Sequence, residues 1–323
     1  MKRMNEQTIK IALAQYSPVW MRRVETIEKV ARLASDAADG GCNIAVIGGE
    51  CSVGGYPYWL ELTGGAVFNS QVQKEIFAEY SNQAVQVERG DLQPLCEVAR
   101  TRGVAVYIGI VEKPADRGET LYASLVFIDA GGNIASVHRK LIPTYEERLV
   151  WGIGDGNGLR VHRVGPFTVG GLNCWENWNP LIRSALYAQG EDFHVCVFPG
   201  GTHNSELTRF IAKESRSYVA SVCCVMRSGD IHDSVPHREK IIVDAGEYLS
   251  NGGTCLAGPD GEWIIEPIAK HEELLIAEID HTHVREERQN FDPTGHYSRP
   301  DVLRLSVDRT RQTSAIFNET NEG

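Results

Sequence analysis

Apolar positions at the start of the chain change from a strand pattern to a helix pattern and back. Residues 9–15 (IKIALAQ) predict a first strand, and apolar residues then recur at helical spacing from Val24 to Ala34. The pair Gly40 and Gly41 predicts the end of that helix, and the apolar run at residues 44–47 predicts a second strand. Such a β-α-β unit indicates a parallel strand pair with a right-handed crossover.

The rest of the chain continues this alternation and adds hairpins. Turn signals at residues 129–132 and 258–261 predict two β-hairpins. Further strands are predicted at residues 104–111, 121–128, 134–141, 167–173, 195–198, 220–226 and 274–279, and helices at residues 180–189 and 205–218. Because helices alternate with strands and hairpins also occur, the pattern predicts an α/β fold with mixed sheets.

The same pattern indicates how the chain is divided into domains. No repeat, low-complexity linker or sharp change of composition interrupts residues 1–290, so we expect a single domain there. Apolar runs are few after about Asp292. Residues 291–323 are therefore predicted to form a C-terminal arm.

Composition narrows the class of protein. The 323 residues are 42% hydrophobic and 23% charged, which is ordinary for a globular chain. The net charge of −11 argues against a nucleic acid or an anionic membrane as the partner. No apolar run reaches the length of a signal-peptide core or a transmembrane helix, and the eight cysteines form no CxxC pair. We therefore expect a cytoplasmic protein with reduced thiols and no metal site.

Four polar side chains lie at or just after the ends of predicted strands. Glu50 ends IAVIGGE, Lys140 ends NIASVHRK, and Cys174 ends FTVGGLNC, while Glu147 follows Lys140 in IPTYEER. In α/β proteins, the loops at the carboxyl ends of strands share one crevice, so an acid, a base and a thiol placed there can converge. Each residue taken alone also fits an ordinary surface or packing position, so placement by itself does not decide.

Four segments, in the same order along the chain, resemble segments of the nitrilase branch of the carbon–nitrogen hydrolase superfamily. The segments are GECSVGGYPYW, HRKLIPTYEERLVWGIGDG, CWENWNPLIRSALYAQG and FDPTGHYSRPD. The resemblance implies a four-layer α-β-β-α sandwich built from two mixed sheets. It agrees with the mixed α/β pattern, which by itself does not specify the layers.

The resemblance also implies a reaction and a role for each residue. Cys174 would be the nucleophile, Glu50 the general base and Lys140 the electrostatic stabiliser, while Glu147 would position the substrate and the lysine. An organic nitrile would be hydrolysed to a carboxylic acid and ammonia through a cysteine thioimidate and a thioester. No cofactor is expected, since GIGDGNG resembles a dinucleotide loop but has Asn157 at its third glycine position.

Other activities remain open at this level. An amidase or carbamoyl hydrolase of the same superfamily, or a cyanide dihydratase, would use the same four residues. A catalytically silent scaffold with the same fold is an alternative of a different class. The presence of the acid, the lysine and the thiol counts against that scaffold.

The predicted pocket contains aromatic residues next to the site. Tyr56 and Trp175 are expected to bind the substrate, on the basis of the GYP resemblance and the adjacency to the nucleophile. Trp59 and Trp178 fit either the pocket or the packing of the core and of subunits.

The segment around the first glutamate departs from the family pattern. Gly49 stands where many relatives carry proline, and Cys51 is a second thiol near the site. Gly54 and Gly55 are expected to open the pocket wall, which bears on the choice of substrate.

Finally, the resemblance implies a homo-oligomer, built from dimers and assembled into spirals in many relatives. The contacts would involve the helices at residues 180–189 and 205–218, with Arg183 and Arg216 exposed on them. The arm at residues 291–323 is expected to take part in subunit contacts.

Overall fold

The computed structural model describes residues 7–316. The strands in this range are β1 (Thr8–Gln15), β2 (Ile44–Ile47), β3 (Ala105–Glu112), β4 (Tyr122–Ile128), β5 (Ile134–Arg139), β6 (His162–Val164), β7 (Phe167–Asn173), β8 (Phe193–Phe198), β9 (Tyr218–Cys223), β10 (Val225–Arg227), β11 (Tyr248–Ala257), β12 (Trp263–Ala269) and β13 (Glu273–Asp280). The helices are α1 (Arg23–Asp39), α2 (Trp59–Leu62), α3 (Gln71–Asn82), α4 (Gln93–Arg102), α5 (Pro180–Tyr187), α6 (Ser205–Ser215), α7 (Arg238–Asp244) and α8 (His281–Glu287). None of these helices is long and apolar enough to cross a membrane.

The strands form two sheets, and both are mixed. The first sheet has the order β13-β1-β2-β3-β4-β5, in which β1, β2 and β3 are parallel and the remaining pairs are antiparallel. The second has the order β10-β11-β9-β8-β7-β6, with β12 paired to β11 and with β7, β8 and β9 parallel. The two predicted hairpins are present as β4–β5 and β11–β12.

Apolar side chains define four layers. Between the sheets, Leu13 and Val46 of the first pack in one buried cluster with Val169 and Val195 of the second. Helices α1 and α4 cover the outer face of the first sheet, and α6 covers the outer face of the second. This arrangement confirms the predicted α-β-β-α sandwich.

Two predicted helices end earlier than expected. The helix predicted at residues 205–218 stops at Ser215, because Arg216 takes a left-handed conformation with φ 51° and Tyr218 already begins β9. The helix predicted at residues 180–189 stops at Tyr187. Its start is as predicted, since the Asn179 side chain accepts a hydrogen bond from the Leu181 N–H.

The two arginines expected to be exposed are instead engaged in ion pairs. Arg183 is buried and its guanidinium pairs with Glu214 at 2.8 Å. Arg216 pairs with Glu287 at 2.9 Å. The expectation for Arg183 is wrong because its helix turns that face toward α6 rather than toward solvent.

Part of the C-terminal arm folds back on its own chain near Lys140. The Asn157 side chain donates to the Arg309 carbonyl at 3.0 Å, and the Arg311 guanidinium donates to Asp155 Oδ1 at 3.1 Å. A Cβ on Gly156 would lie 2.1 Å from the Asp308 carbonyl, so only glycine allows this approach. A role of the arm in subunit contacts stays a prediction, and residues 317–323 lie outside the described range.

Loss of the Arg311 side chain is expected to lower thermal stability. Asp155 is buried, and its other cationic neighbour, Arg139, lies 4.0 Å away, so Arg311→Ala leaves a buried carboxylate short of a partner. The cost of such a loss is about 1–3 kcal/mol, which corresponds to a melting temperature lower by roughly 1–5 °C.

Arg309→Ala is the matched control for this change. Arg309 contributes only its backbone carbonyl to the contact, so its variant should stay within about 0.5 kcal/mol of the parent protein. Calorimetry of both variants measures the difference. Equal melting temperatures for the two would contradict the importance of the Arg311–Asp155 pair.

Candidate active site

The cysteine at the end of β7 takes a strained backbone conformation. Cys174 opens a 3₁₀ turn, Cys174–Trp178, and has φ 47°, a left-handed value that is uncommon outside glycine. Its side chain is buried. Strain of this kind persists only where surrounding contacts enforce it, and it is frequent at functional sites.

Glu176 is one of the groups that enforce this turn. Its Oε2 accepts a hydrogen bond from the Asn173 N–H at 3.0 Å, and its Oε1 accepts one from the Leu141 N–H at 2.6 Å. These residues directly precede Cys174 and directly follow Lys140. His138 Nε2 lies 3.1 Å from the same carboxylate and lowers its pKa against the opposing effect of burial. Glu176 therefore ties the thiol segment to the lysine segment.

Asn177 fixes the turn from the other side. Its side-chain amide donates to the Cys174 carbonyl at 2.8 Å and to the Leu172 carbonyl at 3.2 Å. Its oxygen lies 2.8 Å from Nε2 of the buried His194, which is in turn bonded to Glu191. The sequence analysis did not predict that Glu176 and Asn177 position the turn, although two polar residues side by side between two tryptophans could have indicated it.

Lys140 lies between two buried carboxylates. Its Nζ is 2.8 Å from Glu50 Oε1 and 2.6 Å from Glu147 Oε2. All three side chains are almost completely buried. A buried charge is tolerated only when it is paired, so the three groups depend on one another.

Glu147 is held by its own loop and by Tyr56. Its Oε2 accepts a hydrogen bond from the Thr144 N–H at 2.6 Å, which caps the 3₁₀ helix Tyr145–Leu149. The Tyr56 hydroxyl donates to Glu147 Oε1 at 2.8 Å. The ring of Trp151, which the sequence analysis did not select, lies edge-on to Tyr56 and 5.8 Å from Lys140 Nζ.

Glu50 reaches the site from a loop that touches the second sheet. Its N–H donates to the Phe198 carbonyl at the end of β8, at 3.2 Å. A Cβ on Gly49 would lie 1.8 Å from that carbonyl oxygen, and the Gly49 N–H donates to Cys224 Sγ. Proline would lose this donor and clash, which accounts for glycine at this position.

The structure thus brings together the four residues predicted at strand ends. The reactive atoms of Glu50, Glu147 and Cys174 all lie within 4.8 Å of one another. Three such ligands can hold a metal ion in principle, but here the Lys140 ammonium lies between the two carboxylates and supplies the positive charge.

Burial and mutual charges shift the pKa values of this cluster. Burial raises the pKa of Glu50 to about 8, with Glu147 adding to the rise and Lys140 opposing it. Burial and the Glu50 carboxylate raise the pKa of Cys174 well above its usual range. Burial alone lowers the pKa of Lys140, but Glu50, Cys174 and Glu147 outweigh it and raise that pKa. The resting cluster therefore holds an ammonium ion and a neutral thiol beside a weakly acidic carboxyl group.

Such a cluster suits nucleophilic catalysis by a thiol. A carboxylate with a raised pKa is a stronger base than an ordinary glutamate, and it lies within reach of the thiol proton. The ammonium ion stabilises negative charge that develops on attack. The catalytic roles of Glu50, Lys140, Cys174 and Glu147 remain predictions that the geometry supports.

The aromatic residues near the site differ in their burial and in their contacts. Tyr56 contacts Glu147, whereas Trp175 and Trp178 are each 52% exposed and lie 6.0 Å apart. Trp59 is buried and packs edge-on against Tyr80, so it belongs to the core and not to an exposed pocket wall. Substrate binding by Tyr56 and Trp175 stays a prediction.

The second thiol and the two glycines serve packing. Cys51 is fully buried and donates to the Ile110 carbonyl, and burial raises its pKa well above the usual range, which makes it unreactive. A Cβ on Gly54 would lie 2.8 Å from Val111, and one on Gly55 would lie 2.2 Å from Trp20. The expectation that these glycines open the pocket wall is wrong, because they allow close packing there.

Comparison with known proteins points to one family. A family model described as carbon-nitrogen hydrolase matches residues 10–289. A "Nitrilase 2" from an unknown prokaryotic organism is 32% identical over 313 residues, covering 96% of each chain. An "Aliphatic nitrilase" of Sinorhizobium fredii is 32% identical, covering 95% of this chain and 98% of the relative. Among solved structures, an amidase from Nesterenkonia sp. aligns with TM-score 0.64 at 16% identity over 89% of this chain and 96% of its own, a likeness of fold alone.

Proposed function

This chain belongs to the carbon–nitrogen hydrolase family, and we propose that within it the protein is a nitrilase that converts an organic nitrile to a carboxylic acid and ammonia. The observation that carries the proposal is the buried cluster in which a thiol, two carboxylates and an ammonium ion meet. Relatives named as nitrilases over nearly the whole length support the same reaction.

The first step divides a difficult hydrolysis into easier ones. Cys174 Sγ bonds to the nitrile carbon while Glu50 takes the thiol proton and passes it to the nitrile nitrogen, which gives a thioimidate. Negative charge that develops on the nitrogen is stabilised by the Lys140 ammonium and by the backbone N–H of Trp175. One such donor is worth roughly 3–4 kcal/mol of barrier.

Two molecules of water complete the reaction. Glu50 activates the first water, which adds to the thioimidate carbon and gives a tetrahedral intermediate. Loss of ammonia, with a proton supplied by Glu50, leaves a thioester on Cys174. The second water hydrolyses this thioester to the acid and restores the thiol. If the tetrahedral intermediate expels the thiol first, the product is an amide.

A panel of nitriles, each assayed beside its own amide, tests the proposal. Acid and ammonia are expected in equal amounts from the nitrile, with amide as a minor product and with slower turnover of the amide substrate. Faster turnover of the amides would make the protein an amidase. The absence both of turnover and of a thiol adduct across the panel would favour the silent scaffold.

The pH profile of this activity is expected to reflect the raised pKa of Glu50. The carboxylate form is the base, so raising its pKa to about 8 moves the acid limb of activity upward. We expect kcat/KM to fall about tenfold per pH unit below an apparent pKa near 8, which belongs to the coupled cluster as a whole. A profile from pH 5.5 to 9.5 measures this. A flat profile from pH 5.5 to 8 would contradict it.

We further propose that the protein acts in the cytoplasm as a homo-oligomer in contact through α5 and α6. Leu181 on α5 is 64% exposed and Phe210 on α6 is 57% exposed, which is unfavourable for large apolar side chains in water.

The double change Leu181→Asp and Phe210→Asp is expected to lower the mass measured by light scattering. The control is Val243→Asp on α7, which places an aspartate at another apolar residue that is 79% exposed. An unchanged mass would remove these helices as contacts.

A further inference from the structure

A cavity lies beside the 3₁₀ helix that carries Glu147. It has a volume of about 340 Å³, which is within the usual range of small-molecule pockets. Its walls come from α2 and the segment after it and from the 3₁₀ helix Tyr145–Leu149. Glu146, in its lining, has Oε1 3.3 Å from the Tyr56 hydroxyl, which is itself bonded to Glu147. The Tyr56 hydroxyl therefore connects a carboxylate of the cavity lining with Glu147 of the cluster.

Most of the lining is apolar. Leu60, Ala66, Val67 and Leu149 contribute hydrocarbon surface, and Gly64 adds no side chain. Val67 is 64% exposed and Leu149 is 55% exposed, so part of this surface is in contact with solvent. An alkyl or aryl group that entered the cavity would remove from water its own apolar surface and that of the cavity lining.

The polar part of the lining has one sign of charge. Glu61 and Glu146 are the carboxylates of the lining, and neither forms an ion pair with any cation among residues 7–316. Arg148 follows closely in sequence, but its guanidinium donates to the Pro143 carbonyl and does not line the cavity. The positive charge of Lys140 is already matched by its two carboxylates.

The titration of Glu146 agrees with a negative local potential. Burial raises the pKa of Glu146, and the carboxylates of Glu61 and Glu147 add to this rise. A carboxylate of a ligand placed in the same cavity would meet the same repulsion, whereas an ammonium group would be attracted.

We infer that this cavity receives the substituent of the nitrile, and that Glu61 and Glu146 make the protein selective for nitriles with a neutral or positively charged substituent over those with a carboxylate. The inference rests on the proposed nitrilase function and names the substrate class of that site. The alternative preference, for acidic nitriles, would require a cation where the structure has two glutamates.

Three nitriles of similar length and different charge test this inference. They are pentanenitrile, 5-aminopentanenitrile and 4-cyanobutanoate, assayed at pH 8 and low ionic strength so that screening is weak. For the unmodified protein, kcat/KM for the ammonium compound is expected to exceed that for the carboxylate compound by at least about tenfold, with the neutral compound also above the carboxylate. The ratio should decrease in 0.5 M salt.

Charge-removing variants assign the selectivity to the cavity. Glu61→Gln and Glu146→Gln are each expected to reduce the ratio of ammonium to carboxylate turnover, and the double variant to bring it within about threefold of one. Glu97→Gln on α4 removes one negative charge from an exposed position outside the cavity lining and should leave the ratio unchanged.

The outcomes separate this inference from the function on which it rests. Turnover of the three nitriles without a charge preference, or a double variant that keeps the original ratio, would overturn the inference alone. An equal change in Glu97→Gln would assign the effect to net charge and would also overturn it. No turnover of any nitrile, with no adduct on Cys174, would overturn the nitrilase function and the inference with it.

Discussion

Cys174→Ala is expected to lower kcat for nitrile hydrolysis by at least about 10⁴-fold. The variant keeps the cavity, the lysine and both glutamates, but no atom remains that can form the thioimidate. Because Cys174 has little exposed surface and alanine tolerates its backbone conformation no worse, the fold should be retained. Ammonia release under saturating nitrile measures the loss, and circular dichroism checks the fold.

Cys51→Ala is the matched control, since Cys51 is one residue from Glu50 and is also buried with positive φ. It should retain activity within a few fold, because its thiol is engaged with the Ile110 carbonyl and not with the cluster. Mass spectrometry of the protein quenched during turnover should find the acyl group on the peptide with Cys174. An active Cys174→Ala variant, or an adduct on Cys51, would refute the nucleophile assignment.

Residues at strand ends were the most predictive feature of the sequence. Strands β2 and β7 have the predicted limits, and Cys174 directly follows β7. Both strands are buried along their whole length, so mainly apolar runs mark them, and the polar residues that follow mark where the chain leaves the core. The layering of the two sheets did not follow from these patterns, since nothing local specifies which sheet faces which; only the family resemblance implied it.

Positions that depend on contacts far along the chain were beyond the sequence analysis. The end of α6 depends on the left-handed conformation of Arg216, which is stabilised by a pair with Glu287. Gly54 and Gly55 are expected from the sequence to open the pocket wall, yet Val111 and Trp20 pack directly against them. Local sequence does not contain these partners.

The same limit applies to polar groups that support the site. Glu176 contacts residues up to 38 positions away in sequence, and its role becomes visible only when β5 and β7 are placed in different sheets. Tyr56 was selected by resemblance, but its bond to Glu147 spans 91 positions. Residue type and strand position therefore predict which polar groups come together, and the fold determines what holds them.

The cluster also predicts a large effect on stability when its cation is removed. In Lys140→Met, the side chain keeps an unbranched apolar stem of nearly the same length, but Glu50 and Glu147 then face each other in a buried site without the ammonium. Breaking a buried pair in this way costs about 3–5 kcal/mol, or a melting temperature lower by roughly 4–8 °C at pH 9. The loss of charge stabilisation should also lower kcat/KM on the order of 10³-fold.

The stability loss in Lys140→Met is expected to depend on pH with a definite sign. Removing the ammonium raises the pKa of Glu50 beyond about 8, because Lys140 is the group that opposes burial. A carboxyl group whose folded pKa lies above its unfolded value favours the fold below the unfolded pKa, and this contribution is lost as the pH rises toward the folded one. Because the Glu50 pKa is already about 8 in the parent protein, the two proteins differ in this contribution only from about pH 8 upward, so the deficit should be smaller at pH 7 than at pH 9.

A surface lysine provides the control for this last prediction. Lys113 pairs with Glu119 at 2.7 Å, but the glutamate is 68% exposed, so Lys113→Met should cost no more than about 1 kcal/mol at either pH. Melting curves of both variants at pH 7 and pH 9 give the four values needed. A deficit in Lys140→Met that does not grow with pH would mean that the two buried carboxylates are not held apart by this ammonium, and the charge arrangement on which the base strength of Glu50 depends would fail with it.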